Sequence, residues 1–267
     1  MSDPLLPLAL AAAQLGGEIL RSFFGRLKAG EIEEKTQNDF VTAADHASEA
    51  AITTLLRKHT PAIGILAEES GASGATGARW ILDPLDGTLN FVRGFPHFAI
   101  SLALEREGLI ELGVIYDPMR DELYSATRGS GAWLAGRRLS VSGRAGLAGA
   151  FVTTGFPFRL QRHFEAYLRV FREVFLHSGA IRRPGAAALD LAHTAAGIFD
   201  AFFEFSLQPW DIAAGALLVR EAGGVVSDLA GTPELFTRGN IVAGAPGAHR
   251  ELLDIVRRHC REDEITP

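Results

Sequence analysis

Apolar residues near the start of the chain recur at helical spacing. At alternating intervals of four and three residues stand Leu6, Leu10, Ala13, Gly17, Leu20 and Phe24. This spacing is typical of one face of an amphipathic helix. A polar stretch over residues 31–38 follows, and a second helix is predicted over residues 45–58.

Short apolar runs bounded by polar residues then favour buried strands. We expect strands over residues 63–67, 80–82, 98–104, 111–116, 123–126 and 132–134. The last four are predicted to share one antiparallel sheet, and a turn around Gly108 joins the first two of them.

In the second half of the chain, apolar runs of strand length alternate with helical patterns. The expected strands are residues 150–153, 180–182 and 201–205, and the expected helices are 164–176, 187–196 and 212–221. This alternation favours an α/β second half. Because residues 142–149 are rich in Gly, Ala and Ser, we predict two domains, 1–145 and 146–267.

The amino-acid composition excludes or disfavours several kinds of site and partner. The 267 residues are 47% hydrophobic and 22% charged, so the core needs no metal or disulfide and any metal would be functional. The formal charge of −6 disfavours binding to nucleic-acid backbones, so nucleic acid is an unlikely partner. Cys260 is the single cysteine, which excludes an intrachain disulfide and a thiolate zinc cluster and indicates a reducing compartment.

The N-terminal apolar run over residues 5–13 lacks the preceding Lys or Arg of a signal peptide, and Asp3 stands before it instead. No later run is long enough and uncharged enough to span a bilayer. We therefore expect a cytoplasmic protein without a membrane partner.

The strongest chemical motif is Asp83-Pro84-Leu85-Asp86-Gly87-Thr88. It places two carboxylates three residues apart directly after a predicted strand, where a helix could begin. Carboxylate oxygens suit Mg²⁺, and the N–H groups of a helix N-terminus suit a phosphate. The same hexapeptide is also good turn and N-cap chemistry without any function.

Three further acidic segments bear on that choice. Glu68-Glu69 ends an apolar run, either as a solvated loop or as two carboxylates that approach a cation. Asp39 and Asp45 flank a small apolar stretch, and Asp45 is either the N-cap of the next helix or part of a site. Asp211 precedes an apolar helix with the same two interpretations. If one fold gathers these acids in a cleft, they form an oxygen-only Mg²⁺ site.

Together these segments resemble the inositol monophosphatase family, especially its bacterial members. The matching stretches are DFVTAAD (39–45), GILAEES (64–70), WILDPLDGTLNF (80–91), GVIYDP (113–118) and PWDIAAGALLVREAGG (209–224). The resemblance implies a layered αβαβα sandwich of the sugar-phosphatase type, with an α+β first part and an α/β second part. It also implies Mg²⁺-dependent hydrolysis of a small polyol phosphate, most directly myo-inositol 1-phosphate, with inhibition by Li⁺ and a homodimer.

The resemblance assigns roles by position. It implies that two or three Mg²⁺ ions are held by Glu68, Asp83, the carbonyl of Leu85, Asp86 and Asp211. It implies that Glu68 and Thr88 activate the attacking water while Asp45 hydrogen-bonds Thr88. The backbone N–H groups of Gly87 and Thr88 would bind the phosphate. The implied substrate contacts are Asp86, Gly185, Ala186, Ala187, Glu204 and Asp211.

Two departures from the family pattern concern substrate identity. Arg93 stands where a histidine is common, and Ala186 stands where many members have Ser or Thr. Related sugar, nucleotide-bisphosphate and histidinol-phosphate phosphatases remain alternatives, although Leu89-Asn90 replaces the Lys-Glu pair usual in the nucleotide enzymes. A non-catalytic binding member of the family and a structural Mg²⁺-binding domain are further alternatives. Every matched ligand is present, which disfavours the binding member, and Thr88 and Asp45 disfavour the structural domain.

Overall fold

The computed structural model describes residues 3–36, 39–75, 77–157 and 163–260, apart from the side chains at positions 29, 35, 36 and 39. The helices in this part of the chain are α1 Leu6–Phe23, α2 Ala43–His59, α3 Thr88–Val92, α4 Phe164–His177, α5 Ala187–Ala195, α6 Pro209–Glu221 and α7 Pro246–His259. The strands are β1 Ile32–Thr36, β2 Asp39–Thr42, β3 Gly64–Ala67, β4 Gly71–Ser73, β5 Ala78–Asp86, β6 Ala99–Arg106, β7 Leu109–Asp117, β8 Glu122–Thr127, β9 Gly131–Leu134, β10 Arg137–Arg138, β11 Phe151–Thr154, β12 Ala180–Arg182, β13 Ala201–Glu204, β14 Val225–Ser227 and β15 Ile241–Gly244.

Two large sheets organise the molecule. The first has the strand order β10-β9-β8-β7-β6-β5-β3-β4 and is antiparallel except where β3 lies parallel to β5. The second has the order β12-β11-β13-β15-β14, with β11 parallel to both β12 and β13. A separate hairpin pairs β1 with β2. Parallel pairs matter for the site, because parallel strands end at the same edge of a sheet.

Helices cover both sheets and fill the space between them. Helices α1 and α2 pack on one face of the first sheet, around Trp80 and Leu102. Helices α5 and α6 lie between the sheets, where Leu191 and Ile212 join residues of both. Helices α4 and α7 cover the outer face of the second sheet, around Tyr167. The chain therefore forms five layers, with the core around α5 and α6 in contact with both sheets, and the predicted αβαβα sandwich is confirmed.

The periodicity arguments place most elements correctly. The helix expected near residues 6–24 is α1, the one expected over 45–58 is α2, and the four strands from 98 to 134 are β6 to β9 of one antiparallel sheet. Helix α6 is followed by a glycine in the left-handed region, since Gly223 has a φ of +86°. Among the described residues, no helix combines the length and apolar character needed to cross a membrane.

Several boundaries differ from expectation. The polar stretch at 31–38 contains β1, while residues 37 and 38 lie outside the described part. Strand β5 continues through the acidic motif to Asp86, although its pairing with β6 slips between Asp83 and Asp86. The slip agrees with the absence of an N–H on Pro84. The predicted division into domains 1–145 and 146–267 stays a prediction.

Candidate active site

The acidic segments converge because β3 and β5 run parallel. Glu68 directly follows β3, and its N–H donates to the carbonyl of Leu82 on β5 at 3.1 Å. Asp83 and Asp86 lie on the last residues of β5. The carboxyl ends of the two strands thus bring acids from two predicted segments to one edge of the first sheet.

The second half of the chain approaches the same edge with helix N-termini. Asp211 lies in the first turn of α6, and residues 185–187 lead into α5. The N–H of Ala188 in α5 donates to Oδ2 of Asp86 at 2.8 Å. Glu204, the last residue of β13, reaches this place from the second sheet. The positive ends of two helices therefore face a concentration of carboxylates.

These groups line a single cavity of about 310 Å³. The predicted site residues that border it are Glu68, Asp83, Leu85, Asp86, Gly87, Thr88, Gly185, Ala186, Ala187, Glu204 and Asp211. Asp45 does not border the cavity. It lies behind Thr88, whose Oγ1 is 3.3 Å from Oδ1 of Asp45. The structure thus brings together every residue that the sequence placed in the site, and Asp39 alone of the acidic candidates has an undescribed side chain.

Asp83 lies at the electrostatic centre of the cluster. Burial raises the pKa of its carboxyl well above the usual range, and the charges of Glu68, Asp86 and Asp211 raise it further. The N–H of Leu85 donates to Oδ1 of Asp83 at 2.9 Å and opposes the shift. A cation among these four carboxylates would offset their mutual repulsion and favour the charged form of Asp83.

The donor set fits Mg²⁺ in its chemistry, because it consists of carboxylate oxygens and a backbone carbonyl. Among the described residues, however, no three His, Cys, Asp or Glu side chains already converge as a preformed metal cage. The carboxylates of Asp83, Asp86 and Asp211 accept backbone N–H groups instead. Each such bond uses one of about four lone-pair positions on a carboxylate, so it is compatible with a cation on the same group.

Asp45 and Asp211 have the same place in their helices. Neither is the N-cap that the sequence allowed as one interpretation, because each is the third residue of its helix in a capping box. Oδ2 of Asp45 accepts the N–H of Thr42 at 2.8 Å, and Oδ2 of Asp211 accepts the N–H of Gln208 at 2.7 Å. Each acid therefore stabilises a helix start and lies at or near the cavity as well.

Burial raises the pKa of the Asp45 carboxyl to about 6, although hydrogen bonds from Thr42 lower it. The hydroxyl of Thr88 lies 3.0 Å from the carbonyl of Leu85 and 3.3 Å from Asp45. A hydroxyl has one proton to donate, so it serves one of these acceptors at a time and keeps its oxygen as an acceptor. This arrangement can orient a water molecule in the cavity.

Gly87 needs to be a glycine. Its φ of +92° belongs to the left-handed region, and a Cβ there would lie 3.0 Å from the carbonyl oxygen of His97. It is the residue before α3, which Thr88 opens. The backbone therefore turns sharply between the last carboxylate of β5 and the start of the helix.

Sequence reasoning assigned no role in the cavity to Gly155 or Asn90, two of the residues that shape it. Gly155 follows β11, and a Cβ at this position would lie 2.0 Å from Oε1 of Glu204. Asn90 donates from its side-chain amide to the carbonyls of His97 and Pro184 at 2.8 and 2.9 Å. Gly155 leaves room for Glu204, and Asn90 ties the loop before α5 to α3. Neither role has a sequence signal, because both depend on tertiary neighbours.

The cavity also has basic and apolar lining residues. Arg183 and Phe156 border the cavity, with the guanidinium 5.2 Å from the ring centroid. Phe40 and Leu207 add apolar surface. Among the described residues that line the cavity, Arg183 is the one cation. The lining of the cavity therefore combines several carboxylates with one guanidinium and apolar side chains.

Comparison with known proteins gives one consistent family. The sequence model of the inositol monophosphatase family matches residues 1–261. The protein named Nus factor SuhB of Pseudomonas aeruginosa is 47% identical over 263 residues, which are 96% of this chain and 97% of that protein.

Comparison with solved structures gives the same family. The extragenic suppressor protein suhB of Bartonella henselae superposes with a TM-score of 0.93 at 41% identity, over 97% of this chain and 100% of that one. The inositol monophosphatase of Anabaena superposes with a TM-score of 0.86 at 35% identity, over 97% of both chains.

Proposed function

The chain belongs to the inositol monophosphatase family, and from that premise we propose that it is a Mg²⁺-dependent phosphatase of small polyol monoesters. The substrate that we propose first is myo-inositol 1-phosphate. One observation carries the proposal: Glu68, Asp83, Asp86 and Asp211 come from separate parts of the chain and line one cavity together with Glu204.

We propose that two or three Mg²⁺ ions are held by Glu68, Asp83, Asp86, Asp211 and the carbonyl of Leu85. When bound, the metal would supply Lewis acidity and make a bound water more acidic. Its support is the oxygen-only donor set and the mutual repulsion of the four acids around Asp83. We assign the activation of the water, the binding of the phosphate and the contacts with the polyol to side chains and backbone groups of the protein.

The attacking water is assigned to Glu68 and Thr88. The Thr88 hydroxyl is already oriented by its contacts with Leu85 and Asp45, so it can hold a water without reorganisation. The Glu68 carboxylate can accept a proton from this water. The water oxygen then bonds to phosphorus as the bond from phosphorus to the polyol oxygen breaks, and the polyol oxygen takes up a proton.

The phosphate is assigned to the backbone N–H groups of Gly87 and Thr88, where the left-handed turn at Gly87 leaves the backbone accessible. Asp86, Glu204 and Asp211 can accept hydrogen bonds from polyol hydroxyls. Residues 185–187 also line the cavity, and we assign them to contact with the ring of the polyol. A ring with several hydroxyls fits a cavity lined by the carboxylates of Asp86, Glu204 and Asp211 better than an apolar leaving group does.

A panel of esters tests the substrate. Phosphate release from myo-inositol 1-phosphate is measured beside fructose 1,6-bisphosphate, 3′-phosphoadenosine 5′-phosphate and histidinol phosphate, with and without Mg²⁺ and with added Li⁺. The proposal predicts Mg²⁺-dependent, Li⁺-sensitive release that is fastest on the inositol ester. Faster release from another ester would keep the chemistry and replace the substrate.

We also propose a cytoplasmic homodimer. The single cysteine supports a reducing compartment such as the cytoplasm. The family membership supports the homodimer. Light scattering on the purified chain measures the mass against the 28.6 kDa of one copy. A mass of one copy at all concentrations would contradict the dimer.

As a second candidate function we propose a role in transcription, on the basis of the relatives named Nus factor SuhB. Identity of 47% across almost the whole of both chains supports a similar role for this chain. Because the net charge of −6 disfavours direct contact with nucleic acid, we propose a protein partner within the transcription complex. Co-elution with purified RNA polymerase tests it, and wild type and Asp86→Asn should behave alike if binding does not need turnover.

A further inference from the structure

Helix α2 presents three buried polar side chains toward the candidate site. Asp45, Ser48 and Glu49 occupy positions i, i+3 and i+4, so they share one face of the helix. Asp45 contacts Thr88, and the Ser48 hydroxyl donates to the carbonyl of Pro84 at 3.0 Å. Both contacts reach the motif Asp83–Thr88, which runs from the end of β5 into α3. The third side chain, Glu49, contacts the segment Glu68-Glu69.

Glu49 binds the backbone just after Glu68. Its Oε2 accepts the N–H of Glu69 at 2.9 Å, and its Oε1 accepts the N–H of Ser70 at 3.0 Å. The residue is only 6% exposed. A buried carboxylate is costly unless it is hydrogen-bonded, and two successive N–H groups meet that requirement here, one on each oxygen.

The segment that Glu49 binds is a hairpin loop. Strands β3 and β4 pair antiparallel up to Ala67 and Gly71, so Glu68, Glu69 and Ser70 form the connection. Gly71 has a φ of +72°, as expected after a three-residue hairpin loop. On its other side Glu68 is fixed by its N–H bond to Leu82. The backbone around Glu68 is therefore held on both sides. The N–H of Glu68 is bonded to β5, and the next two N–H groups are bonded to Glu49.

We propose that Glu49 is a positioning residue for Glu68, holding the loop so that the Glu68 carboxylate points into the cavity. The proposal rests on the role of Glu68 as a Mg²⁺ ligand put forward above. Residues that orient metal ligands from behind typically change metal affinity or activity by about 10–100-fold when they are replaced. Glu49 has the geometry of such a residue, although it does not border the cavity.

Two substitutions separate positioning from charge. Glu49→Gln keeps the size of the side chain, but its NH₂ group faces one of the two N–H donors and cannot accept from it. Glu49→Asp keeps the negative charge but is one methylene too short to reach both N–H groups. If Glu49 acts only by adding negative charge near the metal, the aspartate should restore affinity. If Glu49 acts by positioning the loop, both variants should bind Mg²⁺ more weakly than wild type.

The control is Thr53→Val on the same helix. The Thr53 hydroxyl is also buried, and it donates to the backbone carbonyl of Glu49 at 2.8 Å rather than to the loop. Thermal unfolding in EDTA establishes that each variant folds. Calorimetric Mg²⁺ titration and amide hydrogen exchange at Glu69 and Ser70 are then measured on the full chain, together with the Mg²⁺ dependence of phosphate release.

We expect the Mg²⁺ dissociation constant to rise about 10-fold or more in Glu49→Gln and Glu49→Asp, with faster exchange at both amides. The Mg²⁺ concentration for half-maximal rate should rise more than kcat falls, and Thr53→Val should match wild type. Wild-type affinity in a folded Glu49→Gln, or restored affinity in Glu49→Asp, would overturn the proposal. If wild type itself binds no Mg²⁺, the proposed function fails, and exchange at Glu69 and Ser70 still decides whether Glu49 holds the loop.

Discussion

The carboxylate of Asp86 accepts a hydrogen bond of 2.8 Å from the backbone N–H of Ala188, a residue 102 positions later in the chain. This bond joins the end of β5 to the first turn of α5. It places the negative charge of Asp86 against the positive end of a helix that lies between the two sheets. The two halves of the candidate site are therefore connected by a direct contact and not only by a shared cavity.

Asp86→Asn should abolish phosphate release while the protein stays folded. The asparagine oxygen can still accept the N–H of Ala188, so the fold keeps its contact, but the charge that would hold a cation is lost. The loss of kcat should exceed the roughly 10–100-fold typical of residues that act only through a ligand. Asp254→Asn, on the exposed face of α7, is the matched control. Wild-type rates in Asp86→Asn would remove this residue from the site.

Glu204→Ala should change substrate preference more than metal dependence. The carboxylate is assigned to polyol hydroxyls, so its loss should lower kcat/KM for the inositol ester by about 10-fold relative to p-nitrophenyl phosphate. The Mg²⁺ concentration for half-maximal rate should stay near the wild-type value. Glu165→Ala, exposed on α4, serves as the comparison. An unchanged ratio between the two esters would count against the assigned role.

Gly155→Ala tests the same carboxylate without removing it. The new Cβ would lie 2.0 Å from Oε1 of Glu204 and must push that side chain aside. We expect kcat/KM for the inositol ester to fall by about 10–100-fold, as is usual when a contact is misplaced by an ångström. Gly143→Ala is the control, because a Cβ at that position would meet open space. Equal rates in the two alanine variants would show that Glu204 can move without consequence.

The Asp45 carboxyl should make stability depend on pH in the metal-free protein. Burial raises its pKa from 3.8 to about 6, so the folded state keeps a proton that the unfolded chain releases between these values. The resulting stability is full below about pH 3.8 and is lost as the pH rises through about 6, a difference of about 3 kcal/mol.

Asp45→Asn lacks this titration, so urea unfolding of both proteins in EDTA isolates it. The free energy of unfolding of wild type, relative to Asp45→Asn, should decrease between about pH 3.5 and pH 6.5. Other buried acids, such as Asp83, titrate in both proteins and cancel in the comparison. A difference that stays constant or grows with pH would contradict the assignment.

Many elements with a clear apolar period could be predicted from the sequence, but β15 and α7 were not predicted although both carry an apolar pattern. The periods of α1 and α2 gave both helices to within a few residues. Strand β1 was missed because Glu33 and Glu34 leave it without an apolar face. The starts of α2 and α6 were placed too late, because the apolar period begins only after the capping boxes at Thr42 and Gln208.

The candidate site divides in a similar way. Glu68, Asp83, Asp86 and Asp211 carried a local signal because they stand beside apolar strands or helices, whereas Glu204 was assigned only through the family resemblance. Glu49 and Gly155 carried none, because Glu49 looks like one more polar residue of a helix and Gly155 like a loop glycine. Their importance comes from partners about 20 and 50 positions away, which only the folded chain brings into contact.

The central claim, that this cavity hydrolyses a phosphate monoester with Mg²⁺, is tested most directly by one titration. Phosphate release from myo-inositol 1-phosphate is followed as Mg²⁺ is added to the EDTA-treated protein. The account predicts no release without the metal and a saturable increase with it. Release that is independent of Mg²⁺, or no release from a folded protein that binds Mg²⁺, would contradict it.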